Sequence, residues 1–181
     1  MQPERLRAEH FQQLKTLHLA PEDFVVAGSA PLFIRGLREH VTDLDIVARG
    51  ASWNHALSLS RSQSLHGPQH APYGDVLSVR FFGARIEVLN GWFPPLFGTV
   101  DRLIQDAELV NGIRFLTLGD TLRWKRHLDR QKDRHDVSRA EAASYPLLRS
   151  GREQGPGRSG HVRDTTPQPS LRLASISRLR S

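Results

Sequence analysis

Apolar and polar positions alternate along most of this chain with two periods, one typical of helices and one of strands. Leu6, Phe11, Leu14 and Leu17 recur at helical spacing and predict a helix over residues 3–19. Further helices are predicted over residues 30–38, 52–61, 100–106, 118–131 and 134–148. Strands are predicted over residues 24–27, 43–48, 76–82, 85–89, 108–110 and 113–116, and a loop over residues 91–98. Residues 1–149 therefore form one domain of mixed helices and strands.

The remaining residues, 150–181, have a different composition. They are rich in Gly, Pro, Ser and Arg and contain no aromatic residue. Such a segment buries too little apolar surface to offset the entropy lost on ordering, so it is predicted to be disordered. The apolar and arginine residues between Leu171 and Arg180 leave open a short basic amphipathic helix.

Composition excludes several classes of protein. The chain has 181 residues and no cysteine, which excludes disulfides, thiolate zinc sites and cysteine nucleophiles. Its net charge of +6 comes mostly from the tail, because residues 149–181 hold seven Arg against two acids. The nearly neutral body gives no electrostatic sign of nucleic-acid binding, and this question stays open. The absence of a long apolar run argues against a membrane span, and the polar first residues predict a cytoplasmic protein.

A Gly-Ser pair stands between a predicted strand and a predicted helix. Gly28 lets a phosphate approach the backbone, Ser29 adds a hydroxyl donor, and the helix N-terminus would attract an anion. The plain alternative is an ordinary turn in which Ser29 serves as the helix N-cap.

Three acids accompany this turn. Asp43 and Asp45 are two residues apart on a predicted strand, so their side chains share one face, while Leu44 and Ile46 face the core. Glu87 interrupts a second apolar strand, where an unpaired acid is costly. If the two strands are neighbours, three carboxylates converge and favour a divalent cation with oxygen ligands. The alternatives are a solvated strand face for the aspartates and an ion pair from Glu87 to Arg80 or Arg85.

Taken together, Gly28-Ser29, Asp43-Leu44-Asp45 and Glu87 resemble the nucleotidyltransferase superfamily of the DNA polymerase β type. The likeness is to small bacterial members, including minimal, antibiotic and toxin-type nucleotidyltransferases, and covers residues 20–140. Arg123-Trp124-Lys125-Arg126 and Lys132-Asp133 also resemble the C-terminal helices of that family. The resemblance implies an α+β fold with a small mixed β-sheet, flanking helices and C-terminal helices.

The resemblance also implies an activity. A nucleoside monophosphate would be transferred from a nucleoside triphosphate, most simply ATP, to a hydroxyl of a protein, a tRNA or a small molecule. Asp43, Asp45 and Glu87 would be the catalytic residues and the ligands of Mg²⁺, and Glu87 could accept the proton of the acceptor. Gly28 and Ser29 would hold phosphates, and Lys125 or Lys132 would neutralise the leaving pyrophosphate; the alternative for both lysines is a solvated helix face.

Other proteins share parts of this pattern. A glycosyltransferase Asp-x-Asp motif would leave Glu87 unexplained, the polar residues before Asp43 argue against a haloacid-dehalogenase-type phosphatase, and Leu89 stands where a PD-(D/E)xK nuclease has lysine. The non-enzyme alternative is a catalytically degenerate nucleotidyltransferase fold that acts as a binding protein or as one half of a toxin–antitoxin pair.

Overall fold

The computed structural model describes residues 1–62 and 68–150, with side chains up to residue 143. Its fold is α+β, as expected. The seven strands are β1 Phe24–Val26, β2 Leu44–Ala48, β3 Gln69–His70, β4 Leu77–Phe81, β5 Ile86–Leu89, β6 Glu108–Val110 and β7 Ile113–Phe115. The α-helices are α1 Glu9–Thr16, α2 Ala30–Phe33, α3 Gly50–Ser62, α4 Pro94–Phe97, α5 Val100–Asp106, α6 Leu118–Leu128 and α7 Gln131–Ser150. Short 3₁₀ helices span Pro3–Arg7 and Pro21–Asp23.

All seven strands form one mixed sheet in the order β3-β4-β5-β2-β1-β7-β6. The pairs β2–β5 and β1–β7 are parallel, and the other pairs are antiparallel. Two hairpins, β4–β5 and β6–β7, are therefore joined to the central β1–β2 pair. This order places β2 and β5 side by side although helix α3 and two strands separate them in sequence.

Each face of the sheet packs against its own apolar cluster. One cluster joins Val26, Ile46 and Val88 to the first helix and to α3. The other joins Val25, Val47 and Leu89 to the aromatic side chains that follow β5 and to helices α5 and α6. Alternate residues of one strand face opposite sides, so the sheet is buried on both faces. The core of the molecule is therefore two layers of side chains with the sheet between them.

Most predicted elements are confirmed with small shifts in their bounds. The helix expected over residues 3–19 is broken, because Ala8 is extended (φ −57°, ψ 145°) and separates a 3₁₀ turn from α1. The helix expected over residues 30–38 stops after four residues; a tight turn follows, with Gly36 at φ +74°. The predicted loop over residues 91–98 contains the short helix α4, and the two-residue strand β3 was not expected.

The tail falls outside the described residues, so the disorder and the boundary expected near residue 150 stay predictions. Among the described residues, no helix is both long enough and apolar enough to cross a bilayer.

Candidate active site

Asp45 and Glu87 stand side by side on parallel neighbouring strands. They are register partners in the β2–β5 pair, flanked by the partners Leu44–Ile86 and Ile46–Val88. Those flanking residues are buried on the opposite face, so both acids project from the same side of the sheet. Adjacent strands lie about 4.8 Å apart, which brings the two carboxylates within reach of one cation. The convergence expected of these two acids is confirmed.

Gly28 occupies the space directly in front of Asp45. The Ala27 N–H donates to the Asp45 carbonyl at 2.8 Å and so extends the β1–β2 pairing to the turn. Gly28 then turns the chain with φ +63°, and a Cβ on this residue would overlap the Asp45 carboxylate. Only glycine provides both this backbone angle and this close approach. The turn therefore holds its backbone against the acidic pair.

The positive charges near Asp45 offset only part of the cost of ionising its carboxyl group. Burial and the negative charges of Asp43 and Glu87 raise the pKa of Asp45 from 3.8 to about 7, although the positive charges of Lys125 and Arg130 act in the opposite direction. The alternative of a solvated strand face fits Asp43, which is exposed and accepts a hydrogen bond from the Thr42 hydroxyl at 3.0 Å. It does not fit Asp45, which is partly buried. A bound cation would relieve this repulsion.

Ser29 is held by a buried lysine. It stands at the N-cap position of α2, but its side chain caps no backbone N–H. Instead the Lys125 ammonium donates to Ser29 Oγ at 3.1 Å, and it also contacts Asp133 at 3.1 Å and Asp136 at 2.8 Å. The side chain of Lys125 is fully buried, so the solvated-face alternative is wrong for this lysine.

Two arginines complete the network around Lys125. Arg130 bonds Asp133 at 2.6 Å, and Arg38 bonds Asp136 at 2.6 Å. Burial raises the pKa of Asp133, but the hydrogen bonds and charges of Arg130 and Lys125 outweigh it and hold the pKa below its usual value. The network ties helices α6 and α7 to the Gly28-Ser29 turn, and it leaves Lys125 with two carboxylate partners already.

Glu87 has a cationic neighbour on its other side. The Arg80 guanidinium on β4 donates to Glu87 at 3.0 Å, and the two residues are register partners in the β4–β5 hairpin. Arg85, the other partner considered, pairs with Glu9 instead. Both interpretations of Glu87 are therefore correct. It lies beside Asp45 in the sheet, and it forms an ion pair with Arg80.

These residues line an open cleft of about 430 Å³. One side of the cleft is acidic and is lined by Asp43, Asp45 and Glu87, with Ser29 beside them. Two exposed cations, Arg130 and Lys132, also line it. Its wall is aromatic; Tyr73, Trp92, Phe93 and Trp124 supply the rings. A larger cavity of about 950 Å³ lies beside the N-terminal helices and the Asn111-Gly112 turn, away from the acids.

The donor set is of the kind that Mg²⁺ prefers. Carboxylate oxygens are hard ligands, and Mg²⁺ is commonly bound by one or two of them together with substrate phosphates. Asp45 and Glu87 would supply these ligands, with the exposed Asp43 beside them. Within residues 1–62 and 68–150, no group of three His, Asp or Glu side chains could by itself hold a metal ion, so Asp43, Asp45 and Glu87 do not form a complete metal site on their own. The geometry therefore fits an ion shared with a phosphate ligand.

Several residues in or near the cleft were not predicted as part of a site. Tyr73 reaches the cleft from the loop after β3 and has no local motif, and Arg80 was considered only as a partner of Glu87. Arg38 and Asp136 meet near Ser29 although they are distant in sequence. The one available signal was the acid pair Asp133 and Asp136 on α7, at the i,i+3 spacing that places both on one helix face.

No family model, curated protein or solved structure matches this chain.

Proposed function

We propose that the chain is a metal-dependent nucleotidyltransferase, which transfers a nucleoside monophosphate from a nucleoside triphosphate to a hydroxyl acceptor. The observation that carries this proposal is the register pairing of Asp45 with Glu87 in front of the Gly28-Ser29 turn. Burial, together with the charges of Asp43 and Glu87, raises the pKa of Asp45 to about 7, and a divalent cation would offset the cost of ionising it. The absence of a side chain at Gly28 lets this turn lie directly against the Asp45 carboxylate.

The roles of the side chains follow from their places in the cleft. Asp45 and Glu87, with Asp43, would hold Mg²⁺, which when bound screens the charge of the triphosphate and polarises its α-phosphorus. Gly28 and Ser29 would receive the outer phosphates through the glycine backbone and the serine hydroxyl. Helix α2 has only four residues, so its dipole adds little, and the hydroxyl matters more than the sequence suggested.

In the reaction, the acceptor oxygen attacks the α-phosphorus, and the bond from that phosphorus to the oxygen bridging the α- and β-phosphates breaks. Pyrophosphate leaves with the electron pair of the broken bond, and the acceptor proton passes to a carboxylate oxygen of Glu87. Lys132, which lines the cleft and is exposed, would neutralise the charge on pyrophosphate. Lys125 acts instead as a positioning residue, because its ammonium already bonds Ser29, Asp133 and Asp136.

The direct test is Mg²⁺-dependent transfer of an α-labelled nucleotide. Wild-type protein is incubated with labelled ATP, GTP, CTP or UTP and with protein, tRNA and small hydroxyl acceptors. The rate of transfer by the double variant Asp43→Ala with Asp45→Ala is expected to be at least about a thousandfold lower, because groups that stabilise charge in the transition state are removed. Absence of both transfer and Mg·ATP binding in the wild type would refute the proposal.

One contact favours a second candidate, a degenerate nucleotidyltransferase fold that binds a partner, such as the other half of a toxin–antitoxin pair. Arg80 occupies a carboxylate oxygen of Glu87 at 3.0 Å, where a metal would otherwise bind. Arg80 is half-exposed, so this surface ion pair is weak and can be displaced. Transfer that appears only after Arg80→Gln would favour this candidate over the enzyme.

A further inference from the structure

A second pocket, which we name the side pocket, opens from the cleft between the loop after β3 and helices α4 and α6. Its volume is about 400 Å³, within the range of small-ligand pockets. It shares Pro72, Tyr73 and Phe93 with the cleft and extends beyond them to Leu96 and His127. No carboxylate from the described part of the chain lines it, whereas three acids line the cleft next to it.

The wall of the side pocket is built largely from aromatic rings that contact one another. Tyr73 stacks on Phe93 with ring centroids 3.8 Å apart and an interplanar angle of 13°. Trp92 meets both rings edge-on, and His127 meets Phe93 edge-on at 5.9 Å. Prolines and Leu96 close the remaining sides. A wall of aromatic and apolar side chains suits a planar, uncharged ring, because aromatic rings contact any π-system without hydrogen-bond readout.

The position of the side pocket relative to the acids indicates which substrate it serves. Across the sheet, Ser29 follows β1, Asp45 lies on β2, Glu87 lies on β5, and Tyr73 precedes β4 at the far end. Phosphoryl transfer is roughly in line, so the acceptor approaches from the side opposite the leaving pyrophosphate. With the outer phosphates at Ser29, the acceptor enters from the Glu87 side, which is where the side pocket opens.

We infer that the side pocket binds the acceptor and that the acceptor is a hydroxyl compound carrying a planar, uncharged ring. This inference rests on the proposed function, since the side pocket is assigned through the direction of transfer. The ring stacks against the Tyr73–Phe93 pair, and its hydroxyl reaches the Glu87 carboxylate. Compounds with the same hydroxyl but no ring bind more weakly.

The test measures dissociation constants by calorimetry with the full chain. The probes are adenosine, cytidine and N-acetyltyrosinamide as ring compounds, N-acetylserinamide as the ring-less hydroxyl, and Mg·ATP with Mg·tripolyphosphate for the donor site. Ring compounds are expected to bind the wild type at least tenfold tighter than N-acetylserinamide. Which ring binds best then separates a nucleoside acceptor from a tyrosine-like one.

Two variants locate the ring. Leu96→Ala and the exposed His127→Ala are each expected to weaken ring binding about fivefold, whereas Leu109→Ala, an exposed leucine on β6, changes nothing. Equal binding of ring and ring-less compounds, or ring binding unaffected by both variants, overturns the inference. A loss of Mg·ATP affinity relative to Mg·tripolyphosphate, without loss of ring-compound binding, overturns it too, because the side pocket would then hold the donor base. Failure of the wild type to bind either Mg complex refutes the proposed function itself.

Discussion

Gly28 lies so close to the carboxylate of Asp45 that the structure has no room for a Cβ on residue 28. The contact joins the turn after β1 to the second residue of β2, and it holds the Gly28-Ser29 turn against the acidic pair. It also gives the sharpest test of the site, because the smallest side chain suffices to disturb it.

Gly28→Ala is expected to abolish the thermal stabilisation that Mg·ATP gives, because the new methyl group displaces the Asp45 carboxylate. The backbone angle of φ +63° adds a cost of about 1 kcal/mol in stability. Thermal unfolding with and without Mg·ATP measures both effects.

Gly83→Ala is the matched control. Gly83 has φ +65° in the β4–β5 turn, and a Cβ there meets nothing within 4 Å. Gly83→Ala should therefore lose the same stability from backbone strain but keep the thermal stabilisation that Mg·ATP gives. An equal loss of response in both variants would mean that backbone strain, and not the contact with Asp45, is responsible.

Asp45→Asn is expected to stabilise the metal-free protein. The unfolded chain releases the Asp45 proton near pH 4, while the native state keeps it up to about pH 7. The native state therefore binds more protons in this window, so the free energy of unfolding falls as the pH rises through it. At about pH 8 the variant should exceed the wild type by about 2 kcal/mol, and the difference should vanish at about pH 4.

Urea unfolding as a function of pH, in EDTA, measures this difference. Asp75→Asn, at an exposed aspartate, should leave the pH profile of the wild type in place. A variant that is destabilised at every pH would contradict the picture of repelling acids. For the same reason, Mg²⁺ should bind the wild type more tightly as the pH rises through 7.

Asp133→Asn is expected to destabilise the protein by about 3 kcal/mol at neutral pH, because it removes one anion from the buried network around Lys125. The native pKa of Asp133 is lowered, so its contribution is present above the unfolded pKa of 3.8 and is lost as the pH falls through the native value. The gap between variant and wild type should therefore shrink at strongly acid pH.

Asp129→Asn serves as its control on the neighbouring turn. Asp129 is 68% exposed, pairs with Arg134 and has φ +47°, an angle that asparagine also tolerates. Chemical unfolding should show a change of less than about 0.5 kcal/mol. Similar losses in both variants would argue against a special role for the buried network.

Arg80→Gln is expected to tighten Mg²⁺ binding severalfold, because it frees the Glu87 carboxylate from its ion pair. Arg85→Gln, on the same hairpin but paired with Glu9, should leave the affinity unchanged. Calorimetric titration with Mg²⁺ in the presence of a non-hydrolysable ATP analogue measures the two constants. Weaker binding in Arg80→Gln would mean that the arginine contributes to the triphosphate site rather than competing for Glu87.

The sequence determined which residues could belong to a site, but not every role within it. The alternation of Leu44 and Ile46 with the aspartates fixed which way Asp45 faces, and the hairpin around Gly83-Ala84 and the strand at Glu87 were also predictable, because period-two burial is a local property. The Gly28-Ser29 turn was predictable because the end of an apolar strand followed by glycine is also a local signal. The helix after it was not, since its early end depends on packing and on the turn at Gly36.

Only the tertiary structure decided that β2 pairs with β5, that Arg80 meets Glu87, and that Lys125 is buried between Asp133 and Asp136. Strand order and the partners of a buried charge are set by contacts between segments distant in the chain, which no local period encodes. A lysine on a helix with many charges is usually solvated. It is buried here because two carboxylates from the next helix and a serine from the turn after β1 offset the cost of removing it from water.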